Sequence, residues 1–93
     1  MTDIAQNENN WTVVGDINMD SANTLLEKSK QLSLSDNTQV DFAKVSDVDT
    51  AAVSLMLEWY RRAKLENKKL AFVNLPDGLS SLTALYGVTD LLS

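Results

Sequence analysis

The side chains that could do chemistry are concentrated in one segment, DFAKVSDVDT, which runs from Asp41 to Thr50. It supplies the carboxylates of Asp41, Asp47 and Asp49 and the hydroxyl of Thr50. Three interpretations are open. Asp49 or Thr50 could simply cap a following helix, whose first amides are unpaired donors with partial positive charge. The oxygens could instead bind Mg²⁺, or two carboxylates could act as an acid–base pair.

The rest of the composition argues against catalysis. The chain contains no Cys and no His, so it cannot use a thiolate nucleophile, an imidazole base, or zinc bound by the usual ligands. No phosphate-binding glycine loop or lysine accompanies the carboxylates. We therefore expect no catalytic residue, no metal site and no cofactor, and we favour the capping interpretation over the other two.

Length and charge narrow the class of protein. With 93 residues, the chain should form one domain over residues 1–93. Its 13 acidic and 8 basic side chains give a net charge of -5, which disfavours nucleic-acid binding. The charge is uneven: ten acidic and three basic residues precede Trp59, whereas three acidic and five basic residues follow it. This polarity indicates either ordinary solvated faces or a partner of mixed sign.

The N-terminal sequence MTDIAQNENN is acidic and rich in amides, unlike a signal peptide, and no apolar run approaches the length of a membrane span. We therefore expect a cytoplasmic protein.

Local patterns predict alternating strands and helices. Ala22, Leu25, Leu26 and Leu32 lie on one side of a first helix, for which Asp20 or Ser21 is the expected N-cap. The predicted elements are strands Ile4–Gln6 and Trp11–Ile17, a helix ending near Ser33–Asn37, a strand Thr38–Phe42 with a loop Ala43–Val48, a helix Thr50–Leu65, a buried strand Lys69–Val73, and a helix Leu79–Tyr86 stopped by Gly87.

This order predicts an α/β fold, a small sandwich with a mixed, mostly parallel sheet, helices packed on it and an N-terminal β-hairpin as its antiparallel edge. Function in such sheets gathers at the carboxyl ends of the strands. That rule again selects the segment between Asp41 and Thr50.

The stretch from Val40 to Ala52, VDFAKVSDVDTAA, resembles the signature of STAS domains, the sulfate-transporter and anti-sigma-factor-antagonist family. That signature has an apolar strand, an Asp, a few residues, then Asp-Ser or Asp-Thr, a small residue and usually Gly. Asp49, Thr50 and Ala51 match its last part, and Ala52 departs from it. The resemblance extends to GDIN at Gly15–Asn18 and to KKLAFV, and it implies a STAS fold with Thr50 at the phosphorylatable position.

Within the family, the helix end WYRRAK and the closing LxxLYGVTDLL resemble STAS subunits of ABC-type phospholipid transporters. This resemblance implies a cytoplasmic accessory subunit that binds and supports or regulates the transporter's ATPase, in a system that maintains outer-membrane lipid asymmetry. It also implies two copies per complex, alongside a permease and a substrate-binding subunit, and a peripheral position at the inner membrane through that complex. The chain has no Walker motif of its own. The alternative is an anti-sigma-factor antagonist regulated by phosphorylation at Thr50.

The expected docking surface is the start of the long helix. Its members are Thr50, Ala51, Val53, Ser54, Leu57 and Glu58, with Ser80 or Thr83 of the last helix as further candidates. Val53 and Leu57 could equally belong to the core. Arg61 and Arg62 could be a solvated helix end or could pair with a partner's carboxylate.

Overall fold

The computed structural model describes residues 2–92, apart from the side chain of Leu92. Strands and helices alternate after an initial hairpin. The elements are β1 (Asp3–Asn7), β2 (Asn10–Ile17), α1 (Met19–Ser29), β3 (Asn37–Val48), α2 (Thr50–Leu65), β4 (Lys69–Val73), α3 (Asp77–Leu85) and α4 (Thr89–Leu92).

The four strands form one sheet in the order β1-β2-β3-β4. β1 and β2 pair antiparallel, while β2–β3 and β3–β4 pair parallel, each across a helical crossover. This topology confirms the predicted mixed α/β sheet with an N-terminal hairpin. The parallel register places Ile17 of β2 beside Val48 of β3, so both strands end at the same level.

One face of the sheet packs against the helices to form the core. Its centre is a T-shaped pair of buried indoles, Trp11 from β2 and Trp59 from α2, with ring centroids 5.8 Å apart. The opposite face is exposed or half-buried at Asn10, Thr12 and Gln39, as the alternation of side chains along a strand requires.

Two sequence predictions about the strands were wrong. The predicted loop Ala43–Val48 is the second half of β3, which stays paired to β2 across two irregularities in register. Strand β4 is not covered on both faces, because it lies at the edge of the sheet and its Lys69 and Ala71 side chains are exposed.

Arg62 belongs to the structure of the domain. Its guanidinium donates from Nη1 to the carbonyl of Ser29 at 2.8 Å and from Nη2 to the carbonyl of Leu32 at 2.6 Å. Nε pairs with Glu66 at 2.8 Å, and the group lies 5.7 Å from the centre of the Trp11 ring. These contacts make Arg62 a clamp on the C-terminal end of α1, so its charge is satisfied within the chain.

Between residues 2 and 92, none of the helices has both the length and the apolar character that a bilayer crossing requires.

Candidate functional site

Two helices begin side by side at the carboxyl ends of β2 and β3. Asn18 caps α1 and Asp49 caps α2, and the amide of Asp49 donates to the carbonyl of Ile17 at 3.1 Å. α3 starts nearby, since a Cβ on Gly78 would lie only 3.6 Å from Val48 Cγ2. The unpaired first amides of α1 and α2 therefore face the same end of the molecule.

Both caps have clear hydrogen-bond geometry. The Asn18 side chain accepts from the amides of Asp20 and Ser21, each at 3.0 Å, and Ser21 Oγ accepts from the Asn18 amide at 2.8 Å. This reciprocal pair is a capping box, and it places the start of α1 before the predicted Asp20 or Ser21. Asp49 Oδ1 accepts from the amide of Ala51 at 2.8 Å, which confirms Asp49 as the cap of α2.

A groove of about 420 Å³ separates the first turns of α1 and α2. The α2 wall is polar or small except at Leu55, whereas the α1 wall is more apolar and includes Met19, which is 75% exposed. The groove is lined by Met19, Ala22, Asn23, Leu26, Asp49, Thr50, Ala51, Ser54, Leu55 and Glu58. We call it the α1–α2 groove.

Thr50, Ala51, Ser54 and Glu58, four of the six predicted docking residues, line this groove. Thr50, Ser54 and Glu58 are exposed and Ala51 is half-buried. Within residues 2–92, the Thr50 hydroxyl has no hydrogen-bond partner. Its oxygen is therefore available to another molecule at the mouth of the groove.

The other predicted docking residues lie elsewhere. Val53 is only 5% exposed and packs in the core, so its side chain is not part of the surface. Leu57 is half-buried against the same core and does not line the groove. On α3, Ser80 is exposed, but Thr83 is buried and donates to the Ser80 carbonyl at 2.9 Å.

Of the three carboxylates in the DFAKVSDVDT segment, Asp47 and Asp49 lie near the start of α2 with Thr50, but Asp41 does not. Asp41 lies in the middle of the sheet, where Oδ1 accepts from Asn74 Nδ2 at 3.1 Å and from the Ala43 amide at 2.8 Å. Val48 lies seven residues further along β3, a distance of roughly 23 Å at the usual rise per residue. Among the described residues, no cluster of carboxylates could hold a metal ion.

Asp16 takes the position that Asp41 was expected to fill. Its Oδ1 accepts from the amide of Asp47 at 3.3 Å, which joins the ends of β2 and β3. Asp16, Asp20, Asp47 and Asp49 are all exposed around the two helix starts. A signal for Asp16 exists in the sequence, because Asp16-Ile17-Asn18 and Asp47-Val48-Asp49 share the pattern of an acid, an apolar residue and a cap.

The predicted docking surface did not include the α1 wall of the groove. Met19, Ala22, Asn23 and Leu26 follow the i, i+3, i+4, i+7 spacing that puts residues on one face of a helix, and α1 is half-buried or exposed at each of them. Leu26 lies on the predicted apolar side of this helix, and it also packs against the core.

The fold is similar to that of two proteins of known structure. The anti-sigma factor antagonist SpoIIAA in its unphosphorylated form superposes with a TM-score of 0.76 over 97% of this chain and 84% of that chain, at 11% identity. A crystal structure of Mglu matches with a TM-score of 0.61 over 80% of this chain but only 19% of that chain, at 16% identity. Comparison with curated proteins gave no match.

A family model described as "Mlab, STAS domain" matches residues 1–93, the entire sequence. The motif around Asp49 and Thr50 and the mixed sheet agree with that match. The chain belongs to the MlaB-type STAS domain family.

Proposed function

We propose that this chain is a non-catalytic accessory subunit that binds the ATPase of an ABC-type phospholipid transport system through the α1–α2 groove. The observation that carries the proposal is the exposed Thr50 hydroxyl, which has no partner within residues 2–92 and lies at the mouth of that groove. The match to the MlaB-type family model supports it. The partner would be an MlaF-like ATPase.

The chemistry of the groove suits protein docking. Ala51 and Ala22 are small and allow close approach, Met19 supplies an exposed, adaptable apolar contact, and Thr50 and Ser54 supply hydroxyls. No side chain there is suited to nucleophilic or acid–base catalysis beyond the exposed carboxylates. The groove would therefore bind the ATPase and support or regulate its activity.

The assembly we propose contains two copies of this subunit, because ABC ATPases work in pairs, together with a permease and a substrate-binding subunit. The chain would be held at the cytoplasmic side of the inner membrane by that complex. Its role would be to help maintain the lipid asymmetry of the outer membrane.

A second candidate is an anti-sigma-factor antagonist switched by phosphorylation of Thr50. The exposure of Thr50 at the start of α2 favours it, since a kinase could reach the hydroxyl. A phosphate would add about -1.5 to -2 charge beside the helix amides but also close to exposed carboxylates. Added charge on a docking surface would weaken binding, which makes such a switch physically reasonable.

Co-purification from the native cell separates the two candidates. Recovery of the chain with an ABC ATPase supports the transport role, and recovery with a kinase-like anti-sigma factor supports the switch. The matched variants are Thr50→Glu and Thr24→Glu, since Thr24 is an exposed threonine of α1 outside the groove.

We expect Thr50→Glu to weaken partner binding by roughly tenfold or more, because an unpaired carboxylate buried at an interface costs above about 1.4 kcal/mol. Thr24→Glu should bind like the wild type. Unchanged binding by a folded Thr50→Glu variant would show that the groove is not the docking surface.

A further inference from the structure

We propose that the outer edge of β4, with the groove beside it, is a second docking site that receives an extended acidic segment of a partner protein as an added strand. It lies at the end of the sheet opposite Thr50. The proposal does not rest on the function proposed for the α1–α2 groove, and each can fail without the other.

The backbone of β4 presents unpaired groups to the outside. The Lys69 amide donates inward to the Asp36 carbonyl at 3.0 Å, so Lys69, Ala71 and Val73 direct their backbone groups towards β3. Because these directions alternate along a strand, the amides and carbonyls of Leu70 and Phe72 point away from the sheet. Within residues 2–92 no strand pairs with this edge. It therefore offers two donors and two acceptors to an incoming strand.

A groove of about 1060 Å³ runs beside this edge. Its apolar surface comes from Tyr60 and Ala63 near the end of α2, from Leu70 and Ala71 of β4, and from Leu91 of α4, which is 47% exposed. Alternate side chains of a strand added to β4 would point into this groove. Small or branched apolar residues at those positions would cover the surface that the domain leaves open.

The lysines that line the groove favour an acidic ligand. Lys64, Lys68 and Lys69 line it, although the whole chain has a net charge of -5. Lys64 Nζ lies 5.6 Å from the centre of the Tyr60 ring, and Lys68 Nζ lies 3.1 Å from Asp36 Oδ1. Among the acidic side chains, Asp90 also lines the groove, Asp36 pairs with Lys68, and Glu66, which pairs with Arg62, and Glu8 adjoin the lining residues Asn67 and Asn9 in the sequence. A segment with acidic residues alternating with apolar ones complements both the lysines and the apolar surface.

The same features disfavour other occupants. A second copy of β4 would bring its own Lys69 into a groove that already holds three lysines. An anionic membrane could attract the lysines, but its headgroups offer no extended backbone to pair with Leu70 and Phe72.

The test uses the full chain, labelled with ¹⁵N, and a synthetic probe: an acetylated and amidated hexapeptide of alternating Glu and Val. We expect binding to slow hydrogen exchange at the Leu70 and Phe72 amides by about tenfold or more, since they would enter new hydrogen bonds. The exchange rate at the β1 edge should not change. A peptide with Lys in place of Glu should not bind.

Charge variants test the groove independently of the backbone. Lys64→Glu combined with Lys69→Glu should weaken the probe's binding by roughly tenfold, as expected for reversing two exposed ion pairs. Lys44→Glu is the matched control, because Lys44 is an exposed β3 lysine near the opposite end. Four results would overturn the proposal: equal binding of the Lys peptide, no protection of the Leu70 and Phe72 amides, binding only to anionic vesicles, or self-association through β4 in sedimentation.

Discussion

At the scale of single residues, the Trp59 indole and the Ser29 hydroxyl link α2 to α1. Trp59 Nε1 donates to Ser29 Oγ at 2.8 Å, and Ser29 Oγ donates to the Leu26 carbonyl at 2.7 Å. Ser29 is a buried polar residue next to the Trp11–Trp59 pair. Its hydroxyl therefore satisfies a donor that would otherwise be buried without a partner.

We predict that Ser29→Ala lowers the free energy of unfolding by about 1–3 kcal/mol, because the Trp59 N–H is left unpaired in the core. Ser46→Ala, at an exposed position of β3, should change it by less than about 0.5 kcal/mol. Urea unfolding followed by tryptophan fluorescence measures both. Equal values for the two variants would contradict the structural role of Ser29.

Arg62 and Arg61 are neighbours with different roles. Arg62 donates to the carbonyls of Ser29, the last residue of α1, and Leu32, just beyond it, whereas Arg61 pairs with Glu58 at 3.5 Å on the exposed side of α2. Lysine keeps the charge but lacks the fork of donors that reaches both carbonyls. We predict that Arg62→Lys costs about 1–2 kcal/mol of stability in urea unfolding. Arg61→Lys should leave the free energy of unfolding almost unchanged. A similar loss of stability in both variants would contradict the structural role of Arg62.

Asp3 is the residue that makes stability depend on pH in a predictable direction. Lys28 Nζ donates to its carboxylate at 2.8 Å, and with the Ile4 amide this lowers the pKa of Asp3 below its ordinary value of 3.8. The charged form is thus favoured in the folded state. The ionised Asp3 carboxylate therefore stabilises the folded state at pH values above the pKa of the unfolded chain. This stabilisation is lost as pH falls through the lowered pKa of the folded state.

We therefore predict that the midpoint temperature of unfolding decreases less steeply in Asp3→Asn than in the wild type when the pH is lowered below about 4. Lys28→Met should flatten the same acidic limb, because it removes the main cause of the lowered pKa. Parallel curves for the wild type and both variants would show that the pair makes no contribution.

At the scale of secondary-structure elements, local sequence patterns predicted some bounds correctly and not others. The bounds of α2 and β4 agree with the prediction, because an apolar helical stripe and a run of KLAFV are local signals. The second half of β3 is different. Only Val45 is buried among Ala43, Lys44, Val45 and Ser46, so the stretch has little alternation, and its pairing to distant β2 keeps it extended.

The candidate site shows the same division. Asp49 and Thr50 were predictable from the helix that follows them. The distance of Asp41 from Thr50 was not, because it depends on how far β3 continues, and the neighbour of Asp47 depends on the register with β2. Asp16 reaches Asp47 from 31 positions away, and the exposed edge of β4 reflects the absence of a further strand beside it within residues 2–92.

The cap of α1 is an element-scale feature that can be tested. We predict that Asn18→Ala lowers the free energy of unfolding by about 0.5–2 kcal/mol, because two amides lose their acceptor. Asn18→Asp should retain most of the stability, since a carboxylate can accept the same bonds. Asn23→Ala, in the middle of α1, is the control. The cap would be unimportant if Asn18→Ala and Asn23→Ala unfolded at the same urea concentration.

At the scale of the whole molecule, charge is separated along the direction of the parallel strands. Asp16, Asp20, Asp47 and Asp49 surround the carboxyl ends, and Lys64, Lys68 and Lys69 line the groove at the amino ends. The carboxyl ends thus carry a group of exposed carboxylates, whereas the groove at the amino ends is lined by three lysines and one carboxylate, Asp90. Each surface adjoins one of the two proposed docking sites, so partners of opposite charge would approach from opposite ends.

This separation predicts how fast a partner binds at the α1–α2 groove. If carboxylates steer the partner, its association rate should fall as salt is raised from 50 to 500 mM, because the Debye length shortens from more than 10 Å to less than 8 Å. Asp20→Asn combined with Asp47→Asn should lower the association rate at low salt and reduce its salt dependence, with little effect on the dissociation rate.

The control is Lys68→Gln combined with Lys69→Gln, which changes the charge at the opposite end and should leave the association rate unchanged. Stopped-flow mixing with the purified ATPase measures these rates. A low-salt rate unaffected by the aspartate variants, or lowered by the lysine variants, would show that steering does not come from this acidic end.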